Sequence, residues 1–438
     1  MDNLVVGALG VVFLLILIIL GFPVGIAMGV TGFLGILIMK GLGTAIGALY
    51  FIPHSSVASF TLAVIPMFIL MGYLAFYLGL TDKAFDAAYK WTSRIRGGLG
   101  VATTMAAAVF GACCGSSVAA TAAFGRMALP QMLNHQYDPR LASGCVAAAG
   151  TLAALIPPSI LFVLYGVVTE QSVGKLLIAG VIPGILTAVS FSFFVLILAR
   201  LKPQLAPFGE ISIKFSWKEK VSSLKGIWPV ALLFLIVVGG IYSGLFTPTE
   251  AGAAGSLTCL LIGWSAGKVS KKALWEITLD TARSLAIIGV LIVGVFLLVQ
   301  FISLSGLPSF IAKTVSNWAL PIPVTLVMIY LVYLILGCFL DAFGLLLLTV
   351  PFFLPVIIHL GLNPIWFGVI VVKLTEIGLL TPPVGIQIYV LKSVSPENIS
   401  TETIFNGAMW FWIVELVTIA LLTAFPIISL WLPERMGK

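Results

Sequence analysis

Charge is scarce in this chain. Of 438 residues only 9% are Asp, Glu, Lys or Arg, while 60% are hydrophobic, which excludes a water-soluble domain, where roughly a quarter of residues are charged. Apolar runs near the ~20 residues that cross a bilayer follow one another along the sequence, so the chain reads as an all-α polytopic membrane protein. Histidine is rarer still. His54, His135 and His359 fall in predicted loops with no mutual spacing that suits a metal. The five cysteines, Cys113, Cys114, Cys145, Cys259 and Cys338, lie in apolar or glycine-rich segments without histidine at ligand spacing, and read as small packing residues. A nucleotide loop is missing as well: the nearest match, Gly263, Gly267, Lys268 and Val269, has the wrong spacing and no Ser or Thr after the lysine, which excludes an ATP-driven pump. No GxSxG or HExxH group appears, so neither a serine hydrolase nor a metalloprotease is encoded. The net charge of +7 sits mainly in loops, where it reports topology rather than a nucleic-acid surface. Residues 1–20 lack the basic start and cleavage site of a signal peptide and read as a permanent span.

What the chain does have is an internal repeat carried by proline. Residues 151–159 read TLAALIPPS and residues 376–384 read EIGLLTPPV. At the same interval of 225, Pro23 meets Pro248, Ser59 meets Ser284, Cys113 meets Cys338, Pro130 meets Pro355 and Pro139 meets Pro364. Prolines held in register over two halves indicate one duplicated unit. The halves are predicted as 1–201 and 227–438, joined by a linker at 202–226. The first parses into spans at 4–20, 24–39 and 59–80, a small-residue segment at 101–128, a broken segment at 141–168 and a span at 176–201. The second parses into 228–246, 251–266, 284–305, 324–358, 365–391 and 405–432.

Loop charge orients these elements. Lys83, Lys90, Arg94 and Arg96 precede the first small-residue segment, whereas the equivalent loop around Lys313 holds one basic residue. Arg126 and Arg140 flank the next loop, whose counterpart around Asn363 has none. Lys268, Lys271 and Lys272 face only Lys40 in the other half. The halves are therefore predicted to be inverted, each with five spans and one re-entrant hairpin (101–128 and 324–358), a cytoplasmic linker and both termini in the periplasm. Inverted repeats with helices broken at membrane depth are how secondary transporters build a substrate and ion site, since a broken helix frees carbonyls and amides. The hairpin tips GACCGSSVAAT at 111–121 and GCFLDAFG at 337–344 allow close backbone approach and point helix ends at a ligand.

These residues carry a family resemblance. GSSVAATAAFGRMALPQM at 115–132, GGIYSGLFTPTEAGAAG at 239–255, and GCFLDAFGLLLLTVPFFLP at 337–355 followed by EIGLLTPPVGIQIYV at 376–390 resemble the large membrane subunit of tripartite ATP-independent periplasmic (TRAP) transporters over nearly the whole chain. The resemblance implies a multi-pass, sodium-coupled importer of the bacterial inner membrane. It implies a small membrane subunit, here a separate chain, and a periplasmic binding protein that delivers an organic acid. Two departures stand out: the vicinal pair Cys113 and Cys114, where smaller residues are expected, and Lys373, where the family often has asparagine.

On this reading one sodium ion lies between the first tip (Gly115, Ser116, Ser117) and the first break (Gly150, Thr151, Pro157). A second lies between Gly337, Asp341 and Gly378, Thr381, Pro382, with backbone carbonyls supplying many ligands. The hydroxyls of Ser116, Ser117, Thr121 and Thr151, with exposed amides, are the expected substrate contacts. Asp341, an acid at membrane depth, is a site candidate by its cost. Glu376 follows Lys373 on one helical face and either pairs with it or acts near the site. Glu250 closes a capping box with Thr247, and Glu415, alone in an apolar run, is expected to contact the partner subunit or face an interface rather than bind substrate. The hairpins and breaks are predicted to move as one body, an elevator of the ion-transporter-superfamily type, against a frame that includes interfacial connectors at 44–56 and 269–281. A channel-like or uniport pathway for organic anions is the alternative.

Overall fold

The computed structural model describes residues 2–436 except 59, 81, 208–214, 318–319 and 398. Ser59, the predicted repeat partner of Ser284, and part of the predicted linker therefore lie outside the described residues. Among the described residues every regular element is helical. Four helices are long and apolar enough to cross a membrane: Val173–Leu201, Lys271–Ser305, Ala342–His359 and Thr401–Ala424. Shorter apolar helices, Val24–Lys40 and Val64–Tyr77 among them, accompany these, giving a multi-pass membrane protein.

Helix boundaries recur at the interval of the prolines. Ser117–Asn134 and Ala342–His359 begin and end 225 residues apart, and so do Pro139–Leu155 and Pro364–Leu380. The local causes are shared. Pro139 and Pro364 open their helices where no amide donor is needed; Asp138 and Asn363 cap them by accepting from the next free amides. Each helix stops at a residue in extended conformation, Ile156 or Thr381, because the residue before a proline is kept out of the helical region. The chain resumes as Ile160–Val168, bent by 44°, and as Ile386–Val394 after Gly385 at φ 56°. Two hairpins complete the set. Gly98–Cys114 turns through Gly115, at φ 63°, into Ser117–Asn134, and Ile322–Gly337 turns into Ala342–His359 with Asp341 as the cap.

Buried apolar side chains form two clusters. One apolar core joins the first hairpin to Pro139–Leu155 and Thr401–Ala424. The other joins Val24–Lys40, Val64–Tyr77, Pro248–Ser265 and Lys271–Ser305, and takes in the second hairpin and Pro364–Leu380. Small residues let the second group close up: a Cβ on Gly25 would lie 2.9 Å from the Cα of Leu291, and one on Gly252 2.8 Å from Met67.

Two expectations change. The connector at 269–281 and the span at 284–305 are one helix of 35 residues, Lys271–Ser305. Its counterpart is interrupted, as Leu42–Val57, a 3-10 turn at Phe60–Ala63 and Val64–Tyr77, because Pro53 and Pro66 flank the interruption while 271–305 contains no proline. Two of the histidines are not in loops: His54 lies inside Leu42–Val57 and His359 ends its helix, whereas His135 sits in the turn after Ser117–Asn134. The capping box is as expected, with Thr247 and Glu250 bonded reciprocally.

Asp138 yields a prediction. It accepts from the Arg140 backbone amide at 2.8 Å and from the Arg140 guanidinium at 3.0 and 3.1 Å, and that guanidinium bond is the main cause that lowers its carboxyl from the usual range. A depressed carboxyl contributes stability above its unfolded value, about 3.9, and loses it as pH falls through the folded one. Asp138→Ala is expected to cost about 1 kcal/mol at neutral pH, with the gap to wild type shrinking below about pH 4, as read by thermal unfolding in detergent.

Candidate functional site

Each tip is seated on the broken helix of its own half. A Cβ on Gly115 would lie 2.5 Å from the carbonyl oxygen of Pro158, so the first tip touches backbone that the break has released. Ser116 accepts from the amide of Ala119 at 3.4 Å. In the second half Gly337 and Gly378 face each other so closely that a Cβ on either would lie 2.8 or 2.7 Å from the other's Cα. Asp341 accepts from the amides of Phe343 and Gly344 at 3.2 and 3.3 Å, which makes it a helix cap. Thr381 donates to the carbonyl of Ile377 at 2.7 Å and accepts from the Trp412 indole at 3.1 Å. Gly150 lies directly against the Thr121 hydroxyl.

Ser117 and Thr151 turn elsewhere, toward two buried carboxylates. Ser117 donates to Glu376 Oε1 at 3.0 Å, a bond between the first hairpin and the second broken helix. Thr151 donates to the carbonyl of Ala148 at 2.7 Å and to Glu415 Oε1 at 3.3 Å. Glu415 ion-pairs with Lys373, and Lys373 also donates to Thr187 Oγ1 at 2.9 Å. Glu376 accepts on its other oxygen from Gln387 Nε2 at 3.1 Å. All four of Lys373, Glu376, Gln387 and Glu415 are at most 2% exposed. Glu415 therefore does not face a partner subunit: it is the interior counter-charge of Lys373, the expensive burial of each being offset by the other. Glu376 and Lys373 share a helix without pairing. Sequence reading missed Thr187 and Gln387, and only the isolated polar positions in apolar runs hinted at a network joining residues 186 to 264 apart.

A cavity of about 620 Å³ lies beside the first tip, between the second arm of the first hairpin and the helices Val64–Tyr77 and Lys271–Ser305. Ser116, Ala119, Ala123 and Arg126 line one wall at helical spacing, and Tyr73 and Asp280 belong to the other. Tyr77 donates to Asp280 at 2.5 Å, and Tyr73 shares a hydrogen bond with Ser284 at 2.8 Å. Arg126, read from sequence as a loop flank, is a cationic group of this wall. A second cavity of about 800 Å³ borders the far end of the same long helix, at Gln300, Ser303 and Leu304, and reaches Glu170 and Gln171. The chemistry of the tips fits a hard monovalent cation, since carbonyls and hydroxyls are the donors available there, whereas no group of three or more His, Cys, Asp or Glu forms among the described residues.

The buried pair gives the next prediction. Lys373→Met or Glu415→Gln alone strands one charge and is expected to cost about 3–5 kcal/mol, whereas replacing both by apolar residues of similar size recovers most of the loss. Chemical unfolding in detergent micelles measures it; a double variant no more stable than either single one contradicts the pairing.

Residues 11–428 match the family described as tripartite ATP-independent periplasmic transporter, DctM component. The C4-dicarboxylate TRAP transporter large permease protein of Pseudomonas aeruginosa is 35% identical over 379 residues, covering 86% of this chain and 87% of that one. The sialic acid TRAP transporter large permease protein of Vibrio cholerae is 32% identical, covering 95% and 96%. An isethionate TRAP transporter permease protein of Oleidesulfovibrio alaskensis, named for both M and Q parts, is 30% identical over 87% of this chain and 59% of its own length. In fold the chain is similar to the Alcanivorax borkumensis YdaH transporter, with TM-score 0.59 and 15% identity over 87% of this chain and 89% of that one. By the match over residues 11–428 and the relatives that share it, the chain belongs to the large permease component family of the TRAP transporters.

Proposed function

We propose that this chain is the permease of a sodium-coupled importer in the bacterial inner membrane, carrying a small organic acid delivered by a periplasmic binding protein and working with a small membrane subunit encoded separately. The observation that carries the reading is the seating of Gly115 on the carbonyl of Pro158 and of Gly337 on Gly378, which brings each glycine-rich tip against the broken helix of its own half. Sodium is held at these two junctions, by Gly115, Ser116 and Pro157 with their neighbours on one side and by Gly337, Gly378, Thr381 and Pro382 on the other. Bound there, sodium supplies positive charge beside the substrate anion, and the residues' part is to present oxygen atoms and to exclude water.

The acid occupies the 620 Å³ cavity, with Ser116 and the start of its helix at one end and the Arg126 side chain at the other. The relatives named for dicarboxylate, sialic acid and isethionate carry acids that such a cavity suits, and the choice among carboxylate and sulfonate rests on residues lining it. Two sodium ions with one monoanion move one net positive charge inward, worth ~2.3 kcal/mol per 100 mV. The two halves are inverted in the membrane, and the hairpins with their broken helices slide as a body along Lys271–Ser305, which borders both cavities.

Reconstituted with its partner subunits, the protein is expected to take up acid when a sodium gradient is imposed and to stop when it is collapsed with a proton gradient maintained. Arg126→Gln is expected to raise the half-saturating substrate concentration roughly tenfold, a loss of about 1.4 kcal/mol. External acid is expected to accelerate exit of labelled internal acid; continuous conductance without this counterflow identifies a channel instead.

A further inference from the structure

The three ionisable side chains buried between the halves do not balance. Lys373 is committed to Glu415 and Thr187, so Glu376, 1% exposed, is left with two neutral donors, the Ser117 hydroxyl and the Gln387 amide. Among the described residues no cation lies within ion-pairing distance of it. A carboxylate at this depth without counter-charge is costly, and neutral hydrogen bonds do not replace the missing charge.

Two buried oxygen atoms on the elements that hold this carboxylate lack partners. Gln387 Oε1 is buried and takes no hydrogen bond, although the nitrogen of that planar amide is fixed on Glu376 Oε2, which holds the free oxygen close by. Thr121 Oγ1, one turn along from Ser117 on the same helix face, is also buried and unpartnered. Burying acceptors in this condition is unusual in a folded protein.

We propose that Ser117, Thr121, Glu376 and Gln387 form a seat for one sodium-sized cation, additional to the ions at the two tip-and-break junctions. The donor set is all oxygen and carries one formal negative charge, which suits a hard monovalent ion. A calcium site takes six to eight oxygens, and zinc prefers nitrogen or sulfur. The seat has a mechanical consequence: Glu376 precedes the second break and Gln387 follows it, so the ion ties both segments of that broken helix to the first hairpin. The inference deepens the sodium-coupled reading, and it is tested by binding rather than uptake so that the two can fail separately.

The experiment uses the full chain in detergent, with radiolabelled sodium binding counted at saturation and thermal unfolding followed in sodium chloride against choline chloride. Glu376→Gln keeps the shape and hydrogen bonds and removes the charge; Gln387→Met removes the oxygen and keeps the bulk. Both variants are expected to bind about one sodium ion fewer per chain than wild type, or to bind that ion at least tenfold more weakly, and to lose part of the sodium-dependent rise in Tm while staying folded in choline. Glu376→Gln is expected to be at least as stable as wild type in choline, because it discards an uncompensated charge. Sodium binding unchanged in both variants overturns the seat while leaving coupling at the tips intact. A wild type that binds no sodium overturns both.

Discussion

In an apolar medium every backbone amide and carbonyl needs a partner inside the protein. The arrangement of this molecule follows from two places where that rule comes into play. Pro157 and Pro158 interrupt a helix whose flanking residues are buried, so the backbone groups released there lie where water does not reach; Pro382 and Pro383 end an equally buried helix, Pro364–Leu380, but are themselves exposed. The tips answer this need by proximity. Gly115 and Gly337 have no side chain to hold them off, so one hairpin end comes against the released carbonyl of Pro158 and the other against Gly378, where any larger residue would stand away.

Polar side chains make the second level of organisation, and they run across the halves where the tips stay within them. Ser117 reaches from the first hairpin to Glu376 on the second broken helix, and Thr151 reaches from the first broken helix to Glu415 on Thr401–Ala424. Thr151 and Glu376 occupy corresponding positions of the repeat, 225 residues apart. Helices with matched boundaries thus hold different chemistry at matched positions, a hydroxyl in one and a carboxylate in the other, and the hydrogen bonds that cross between them are built on that difference.

The framework was legible because its signals are local. A proline pair, an N-cap followed by proline and a Thr-Pro-Thr-Glu box each act within a few residues, so they name helix starts and stops without knowledge of neighbours. Glu415, Gln387 and Arg126 were not legible for the opposite reason. Whether Glu415 meets a partner subunit or Lys373 depends on how Thr401–Ala424 rotates against Pro364–Leu380, and no spacing in the sequence encodes a contact 42 residues away. Arg126 looked like a loop flank because the basic residues around it set topology; its place in a cavity wall follows from the length of Ser117–Asn134, which runs well past it.

The 35-residue helix Lys271–Ser305 is about 52 Å long at 1.5 Å per residue, against a hydrocarbon thickness of about 30 Å. Tilt alone does not absorb that excess, since membrane helices lean by about 20° on average and rarely beyond 40°. Its first turns, with Lys271, Lys272, Trp275 and Glu276, therefore project through the headgroup layer as a handle on a stiff rod. The segmented counterpart, jointed at Phe60–Ala63, has no such reach. Lipid packing and headgroup charge thus gain leverage on one side of the molecule that they lack on the other, and the thickness of the host membrane becomes a quantity to which the wall of the cavity responds.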